Sequence, residues 1–340
     1  MNLALPALPI RPKRRGASPL LVAGSALIAA ALVVPLLFLV LEAAHSGWHD
    51  VLRLVFRRLT RVLLVNTVEL AAAVSAASAV LGTAAAWLVE RTDLPGRRLW
   101  AVLVVLPVAI PDFVVGYSWY SIAPAVHGLG GAVLVMTLAL YPLVYLPVAA
   151  ALRRADPAEW EVARSLGLGP VRAFVRVTLR QVRPALAGGC LVVCLALLAE
   201  YGAFEIVRFQ TFTTTIFSEI QLGFDTAAAS GLSLVLVIIG LVVLAVEAGA
   251  NAGGLVSRAG GQAARLVPRH RLGPARGAAA VAGVAALVGA GLGVPVGTLV
   301  YWMQAGHATT LPGGSLVSAL GHTAGYSAGA ALVASAAALP

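Results

Sequence analysis

The chain has 340 residues, of which 60% are hydrophobic and only 11% charged. A soluble domain of this size carries about 25% charged residues, so the composition excludes a water-soluble enzyme. The formal net charge of +10 invites an acidic or nucleic-acid partner, but its placement along the chain argues for membrane topology instead, and no nucleic-acid partner is expected.

Residues 1–18 carry RPKRRG and read as a cytoplasmic tail. The run that follows, LLVAGSALIAAALVVPLLFLVLE up to Glu42, exceeds the apolar core of a signal peptide. No clear small-x-small cleavage site precedes the next polar segment, so the run is taken as an uncleaved anchor. Crossing a bilayer takes roughly 20 apolar residues. On that measure the spacing predicts eight spans, near 19–43, 62–89, 99–121, 129–152, 185–205, 227–249, 277–300 and 316–340. Runs this long and apolar mean helices, because lipid offers no partner for an open backbone. Small residues pervade them, as in AAAVSAASAVLGTAAA, which suits closely packed helices. Cys190 and Cys194, four apart in one apolar run, read as small packing residues rather than a disulfide.

If the spans alternate, 19 of the 24 basic residues fall on the side of the N-terminus. That asymmetry places the N-terminus in the cytoplasm. The awkward residues are Arg53, Arg57, Arg58 and Arg61, on the other side, where an amphipathic approach to the second span is expected.

The spans also repeat weakly. VVPLLFLV (33–40) resembles GVPVGTLV (293–300), and VNTVELAAA (65–73) resembles GHTAGYSAG (321–329), in the same order and at nearly the same offset. Transporters are commonly built from duplicated halves. The expected organisation is a first repeat over 19–250 with six spans, a cytoplasmic linker over 251–276, and the start of a second repeat over 277–340. The last apolar run continues to Pro340 without a basic flank, so a C-terminally truncated chain is expected.

Between the fourth and fifth spans lies a charged loop, 153–184. Asp156-Pro157-Ala158-Glu159 reads as a helix start, with Asp156 as N-cap, Pro157 at N1 and Glu159 closing a capping box. Gly167 stops that helix and Gly169-Pro170 turns the chain. A second helix begins near Val171, with Arg172, Arg176 and Arg180 on one face and Val171, Phe174, Val175, Thr178 and Val182 on another. A plain solvated loop, its arginines on anionic lipid headgroups, is the simpler alternative.

Glu161, Ala163, Gly167, Val177 and Leu179 fit the pattern E-A-A-x3-G-x9-I-x-L-P with conservative changes, while Val162 and Arg180 depart from it. This resembles the EAA loop of permease subunits in binding-protein-dependent ABC importers. LPVAIPDFVVGYSWY (106–120) and AEYGAFEIVRFQTFTTTIFSEI (199–220) further resemble stretches of the fused, two-half ferric-iron permeases. The resemblance implies an all-α, polytopic helix bundle in the bacterial inner membrane with an incomplete second repeat. It also implies that Glu161, Ala163, Gly167, Val177 and Leu179 couple the bundle to a cytoplasmic ABC ATPase, present as a dimer. A periplasmic binding protein would deliver the cargo, ferric iron, and a second such loop would fall beyond Pro340.

The chain has one lysine, Lys13 in RPKRRG, and so lacks the GxxxxGK[ST] loop that holds nucleotide phosphates. Any ATP hydrolysis therefore belongs to a separate subunit; neither a catalytic site nor a cofactor or resident metal is expected. Ionisable groups within spans default to functional candidates. They are Glu69, Asp112, Glu200 and Glu205, of which Asp112, Glu200 and Glu205 are the candidate pathway residues; Glu205 has Arg208 and Tyr201 as possible internal partners. Pro107 and Pro111 are placed to unwind the third span. Tyr117, Trp119 and Tyr120 read as an interfacial aromatic belt. Permeases for thiamine, sulfate, phosphonate or polyamine share the loop. An ion-coupled secondary carrier using the carboxylates, and a scaffold recruiting a cytosolic protein, are the rival readings of another class.

Overall fold

The computed structural model describes residues 19–45, 53, 55–155, 157–223, 225–251, 269–306 and 313–338. The expected tail 1–18, the N-cap Asp156 and most of the linker 251–276 lie outside them. In chain order the helices are α1 (Pro19–His45), α2 (Arg58–Arg91), α3 (Arg97–Leu103), α4 (Asp112–Ile122), α5 (Gly128–Arg154) and α6 (Pro157–Ser165). Then follow α7 (Leu179–Ala199), α8 (Gly202–Ile206), α9 (Phe212–Ser218), α10 (Thr226–Asn251), α11 (Pro274–Val288), α12 (Val294–Ala305) and α13 (Gly313–Ala338). The described residues hold no strand, only an isolated bridge between Thr92 and His270.

Among the described residues six helices are long and apolar enough to cross a membrane, or seven if one bent pair counts as a span. The expected eight include one helix beyond these, α13. The third span is broken: Arg97–Ala109 and Asp112–Ile122 meet at 93°. Its cause is local. Ile110, preceding Pro111, is forced into extended backbone (φ −92°, ψ 126°), and helix resumes only at Asp112. The eighth, α13, is 26 residues long, but its Gly, Ser and His content leaves it outside the apolar set.

The described residues from Glu42 to Gly306 form one compact unit. The other takes in 19–41 and 313–338, whose described side chains are almost all exposed.

The compact unit is built around α5. Its most apolar stretch is 72% buried, against 39% for α2 and 28% for the span ending in α7. Two prolines sit inside it, Pro142 and Pro147. Lacking N–H groups, they leave the carbonyls of Leu138 and Leu143, four residues earlier, without a helical donor. Glycines on neighbouring helices come against those oxygens. A Cβ on Gly189 of α7 would stand 3.2 Å from Leu143 O and 2.9 Å from Val144 Cα. One on Gly291, between α11 and α12, would stand 3.1 Å from Leu138 O.

On the α2 side, a Cβ on Gly82 would meet Val144 Cβ, Tyr141 O and Tyr145 N, all at 2.9 Å. Helices α2 and α7 thus grip the same residue of α5, at a separation that only glycine permits. The two cysteines belong to this packing: both are free, and Cys194 Sγ lies 3.1 Å from Ser75 Oγ of α2. The largest buried rings, Tyr141, Tyr145, Phe204 and Phe212, lie in or beside this unit's core.

Of the three residues expected in an aromatic belt, Tyr117 is exposed. Trp119 instead turns inward and donates to Ala290 O at 3.3 Å, and Tyr120 lies under the Arg208 guanidinium.

Substituting Gly82→Ala drives a methyl into backbone on α5, and overpacking of this kind costs about 1–3 kcal/mol. Thermal unfolding in detergent is expected to show that loss. Gly283→Ala in α11, where nothing lies within 4 Å of the added carbon, is expected to leave stability unchanged or slightly raised.

Candidate functional site

Two groups of sequence-predicted residues occupy separate places. The first is the charged segment. α6 runs from Pro157 to Ser165, and the chain leaves it through Gly167 at φ +84°. Gly167 N donates to Arg164 O and Leu168 N to Ala163 O, both at 3.1 Å, closing the helix end with a left-handed cap. Arg164 Nη1 adds a bond to Leu168 O at 2.6 Å.

The exposed face of α6 carries Glu161, Val162 (57% exposed) and, just past its end, Leu166 (77%). Ala163 points the other way and is buried. Exposed aliphatic side chains beside a carboxylate, on a helix outside the bundle, make a surface suited to contact with another protein.

The lever is anchored at its base. Gln181 Nε2 of α7 donates to Glu159 Oε2 at 2.6 Å. The chain between them passes through Pro170–Ala173 and a π-type turn, Phe174–Thr178, before α7. That turn shifts the helical phase. Arg172, Arg176 and Arg180 are exposed as expected, and Thr178 and Val182 are buried, but Val175 stands out in solvent instead of on the apolar face. Val177 and Leu179 are half-buried, Leu179 against the main core. Phe174 meets Trp87 of α2 edge to face, with ring centroids 5.8 Å apart. Arg91 Nη2 donates to Ala155 O at 3.3 Å, and Arg153 pairs with Glu90 at 3.0 Å. The segment that begins with α6 is therefore tied to α7 through Glu159–Gln181 and to α2 through Phe174–Trp87. Sequence reading missed Gln181 and Trp87 and gave Glu159 only a capping role. Their contacts span 22 and 87 positions, and no local pattern signals them.

The second group surrounds the broken span. Asp112 opens α4 directly after the break, and its carboxyl reaches that of Glu200 at the end of α7. Two carboxylates in contact repel unless a proton or a cation stands between them. Close backbone packing holds them there. A Cβ on Gly202 would sit 3.0 Å from Phe113 Cβ, and one on Gly116 3.4 Å from Ala203 Cα. Glu200 Oε1 accepts from Ala203 N at 2.7 Å, in the first turn of α8, and Glu200 O accepts from Thr213 Oγ1. Thr213 Oγ1 also lies 2.8 Å from Thr211 Oγ1, whose residue caps α9.

Glu205 is not part of this pair. It is exposed and lines a separate cavity of about 410 Å3 with Arg208, Gln210 and Ser218. Arg208 holds a left-handed backbone (φ 54°) with its guanidinium 5.8 Å from the Tyr120 ring centre. Glu69 is exposed on α2. No group of three or more His, Cys, Asp or Glu side chains among the described residues is placed to hold a metal ion.

A family described as binding-protein-dependent transport system inner membrane component matches residues 78–249. The chain is 38% identical over 218 residues to the Fe(3+)-transport system permease protein FbpB 2 of Haemophilus influenzae, covering 64% of this chain and 43% of that protein. The chain thus spans less than half the length of that relative. The sulfate transport system permease protein CysW of Synechocystis is 29% identical over 239 residues, which cover 64% of this chain and 86% of that protein. The molybdenum transport system permease protein ModB of Escherichia coli is 30% identical over 135 residues, 35% of this chain and 58% of its own. Among solved structures, the MetNI methionine ABC transporter in inward-facing conformations aligns with a TM-score of 0.50 at 18% identity, over 60% of this chain and 100% of that one. This last likeness concerns the fold.

Glu200→Gln keeps the oxygen that accepts from Ala203 N, removes the like-charge contact with Asp112 and is expected to leave the melting temperature unchanged or raised. Glu200→Ala removes that oxygen and is expected to cost about 1 kcal/mol, in the range of a lost helix cap. Thermal unfolding of the two variants side by side distinguishes them.

Proposed function

The chain belongs to the family of binding-protein-dependent transport system inner membrane components, and on that premise we propose that it is a permease subunit of an ABC importer. In this reading it spans the inner membrane several times with its N-terminus in the cytoplasm. A periplasmic binding protein delivers the cargo. A cytoplasmic ATPase dimer drives the opening, and this chain itself hydrolyses nothing. The observation that carries the reading is the lever at α6. It is a capped helix outside the bundle with Glu161, Val162 and Leu166 exposed, and its base is tied to two spans through Gln181 and Phe174. Glu161, Ala163, Gly167, Val177 and Leu179 are its coupling residues. Glu161 belongs to the docking face, Ala163 seats the helix, Gly167 fixes its angle, and Val177 and Leu179 lead it into α7.

For the cargo we propose ferric iron. The carboxyls of Asp112 and Glu200 in contact supply hard oxygen donors, which suit a hard cation and repel an oxyanion such as sulfate. The 38% identity to an Fe(3+) permease points the same way, against lower identity to sulfate permeases. Asp112 and Glu200 would meet the cargo in passage, with Glu205 further along in its own cavity. The competing reading is an ion-coupled carrier using the same carboxylates without an ATPase.

Gly167→Val places a β-branched residue in a left-handed conformation, which costs about 1–2 kcal/mol and displaces the docking face. Uptake of radiolabelled iron by membrane vesicles is expected to fall by roughly tenfold or more, with insertion and abundance in the membrane unchanged. Uptake that survives both Gly167→Val and loss of the partner ATPase's activity, but collapses with an uncoupler, would sink the ABC reading. Asp112→Asn together with Glu200→Gln is expected to lower iron uptake while ATPase assembly persists. Competition by sulfate with no effect of the double substitution would instead assign an oxyanion cargo.

A further inference from the structure

Arginines gather where two loops meet. The loop between α2 and α3 turns at Gly96 (φ +69°) and is stapled by the Trp100 indole, which donates to Pro95 O at 3.1 Å. Leu94 anchors it in the core. Residues 269–272 pair with this loop: His270 N donates to Arg91 O at 2.8 Å and Asp93 N to His270 O at 3.2 Å. Leu272 N donates to Asp93 Oδ1 at 2.9 Å. The His270 ring lies 6.3 Å from that of Trp87. These contacts hold Arg269 beside Arg97 and Arg98 around an open cavity of about 560 Å3, whose other walls include Asp93, Leu94 and Leu99.

Three guanidinium groups there face one carboxylate, and that carboxylate already accepts from Leu272 N. None of the three arginines forms an ion pair among the described residues. Backbone pairing between segments more than 170 positions apart has fixed like charges together, and an anion would relieve that repulsion. The cavity's rim is apolar on one side. Leu99 is 60% exposed and Val102, one turn further along α3, is 58% exposed. Both lie on the helix that begins the broken span. An occupant that satisfies the whole site has an anionic head and a hydrocarbon body.

We propose that this cavity binds the phosphate headgroup of an anionic phospholipid, with its acyl chains running along Leu99 and Val102. Arginine forks suit the phosphate oxygens in bidentate fashion, and basic pockets between membrane helices are suited to such headgroups. Free phosphate would use the arginines but gain nothing from Leu99. The inference needs only that these helices lie in a membrane and stands apart from the transport reading.

The test uses the purified full chain in neutral detergent, with lipid retention followed by native mass spectrometry and thermal unfolding. Added phosphatidylglycerol is expected to be retained and to raise the melting temperature, while phosphatidylcholine and inorganic phosphate do neither. The variant R97Q/R98Q/R269Q is expected to bind phosphatidylglycerol on the order of 100-fold more weakly, with its lipid-free melting temperature unchanged or raised, since the mutual repulsion is gone. R57Q/R58Q/R61Q removes the same charge elsewhere and is expected to keep the response. Leu99→Gln leaves every charge in place, so it tests the apolar rim even if the triple variant folds poorly; weaker retention is expected. An equal lipid response in wild type and R97Q/R98Q/R269Q overturns the proposal. So does a matching response to inorganic phosphate, an equal loss in R57Q/R58Q/R61Q, or full retention in Leu99→Gln. If R97Q/R98Q/R269Q keeps its lipid response but loses assembly with a cytoplasmic protein, the cavity is a protein contact and the proposal fails.

Discussion

The compact unit depends on how closely α2 and α7 approach Val144. Inside a membrane there is no hydrophobic effect to press helices together, so packing distance decides association. Gly82 and Gly189 bring two backbones against one turn of α5 from different sides. The prolines of that turn add a second reason for the fit. They leave Leu138 O and Leu143 O without helical donors, and Gly291 and Gly189 stand against those oxygens. Close Cα–H contacts of this kind are individually weak but recur at helix interfaces. A side chain at either α2 or α7 glycine would move the helix that carries the rest of the machinery.

That central packing gives the peripheral parts something rigid to act on. The lever at α6 has few contacts of its own: a seat for Ala163, the Glu159–Gln181 bond and the cap at Gly167. It touches α7 directly through Glu159 and Gln181, and the turn that follows it reaches α2 through Phe174 and Trp87. The segment from α6 to the start of α7 thus meets the bundle at two points, Gln181 and Trp87. Rigid coupling of this sort transmits a displacement because packed interiors shift as units rather than deform smoothly.

At the break in the third span, backbone geometry and chemistry coincide. Proline geometry interrupts the helix just before Asp112, and the turn delivers that carboxyl to Glu200, 88 positions later. Non-helical backbone within a membrane is tolerated where protein buries it or where it lines a cavity. Thr213 and Ala203 supply the hydrogen bonds that hold Glu200 in place. Glu205, only five residues on, faces another cavity, since α8 turns it away from the pair.

Sequence alone determined what periodicity and local chemistry encode. Apolar runs gave the all-helical class, Pro107 and Pro111 the break, and Gly167 the end of α6, because each of these follows from a residue's own backbone limits. It took α13 as a span on its length, while the Gly, Ser and His content of that helix lowers its hydropathy. It misplaced Val175, because a π-type turn adds a residue to the helical phase without a sequence mark. Tertiary structure decided the rest: that Asp112 and Glu200 meet while Glu205 does not, that Trp87 and Gln181 hold the lever, and that Arg269 joins Arg97 and Arg98. These are contacts between distant segments, set by which helix backbones can approach one another, and a periodic pattern along one strand of chain does not contain that information.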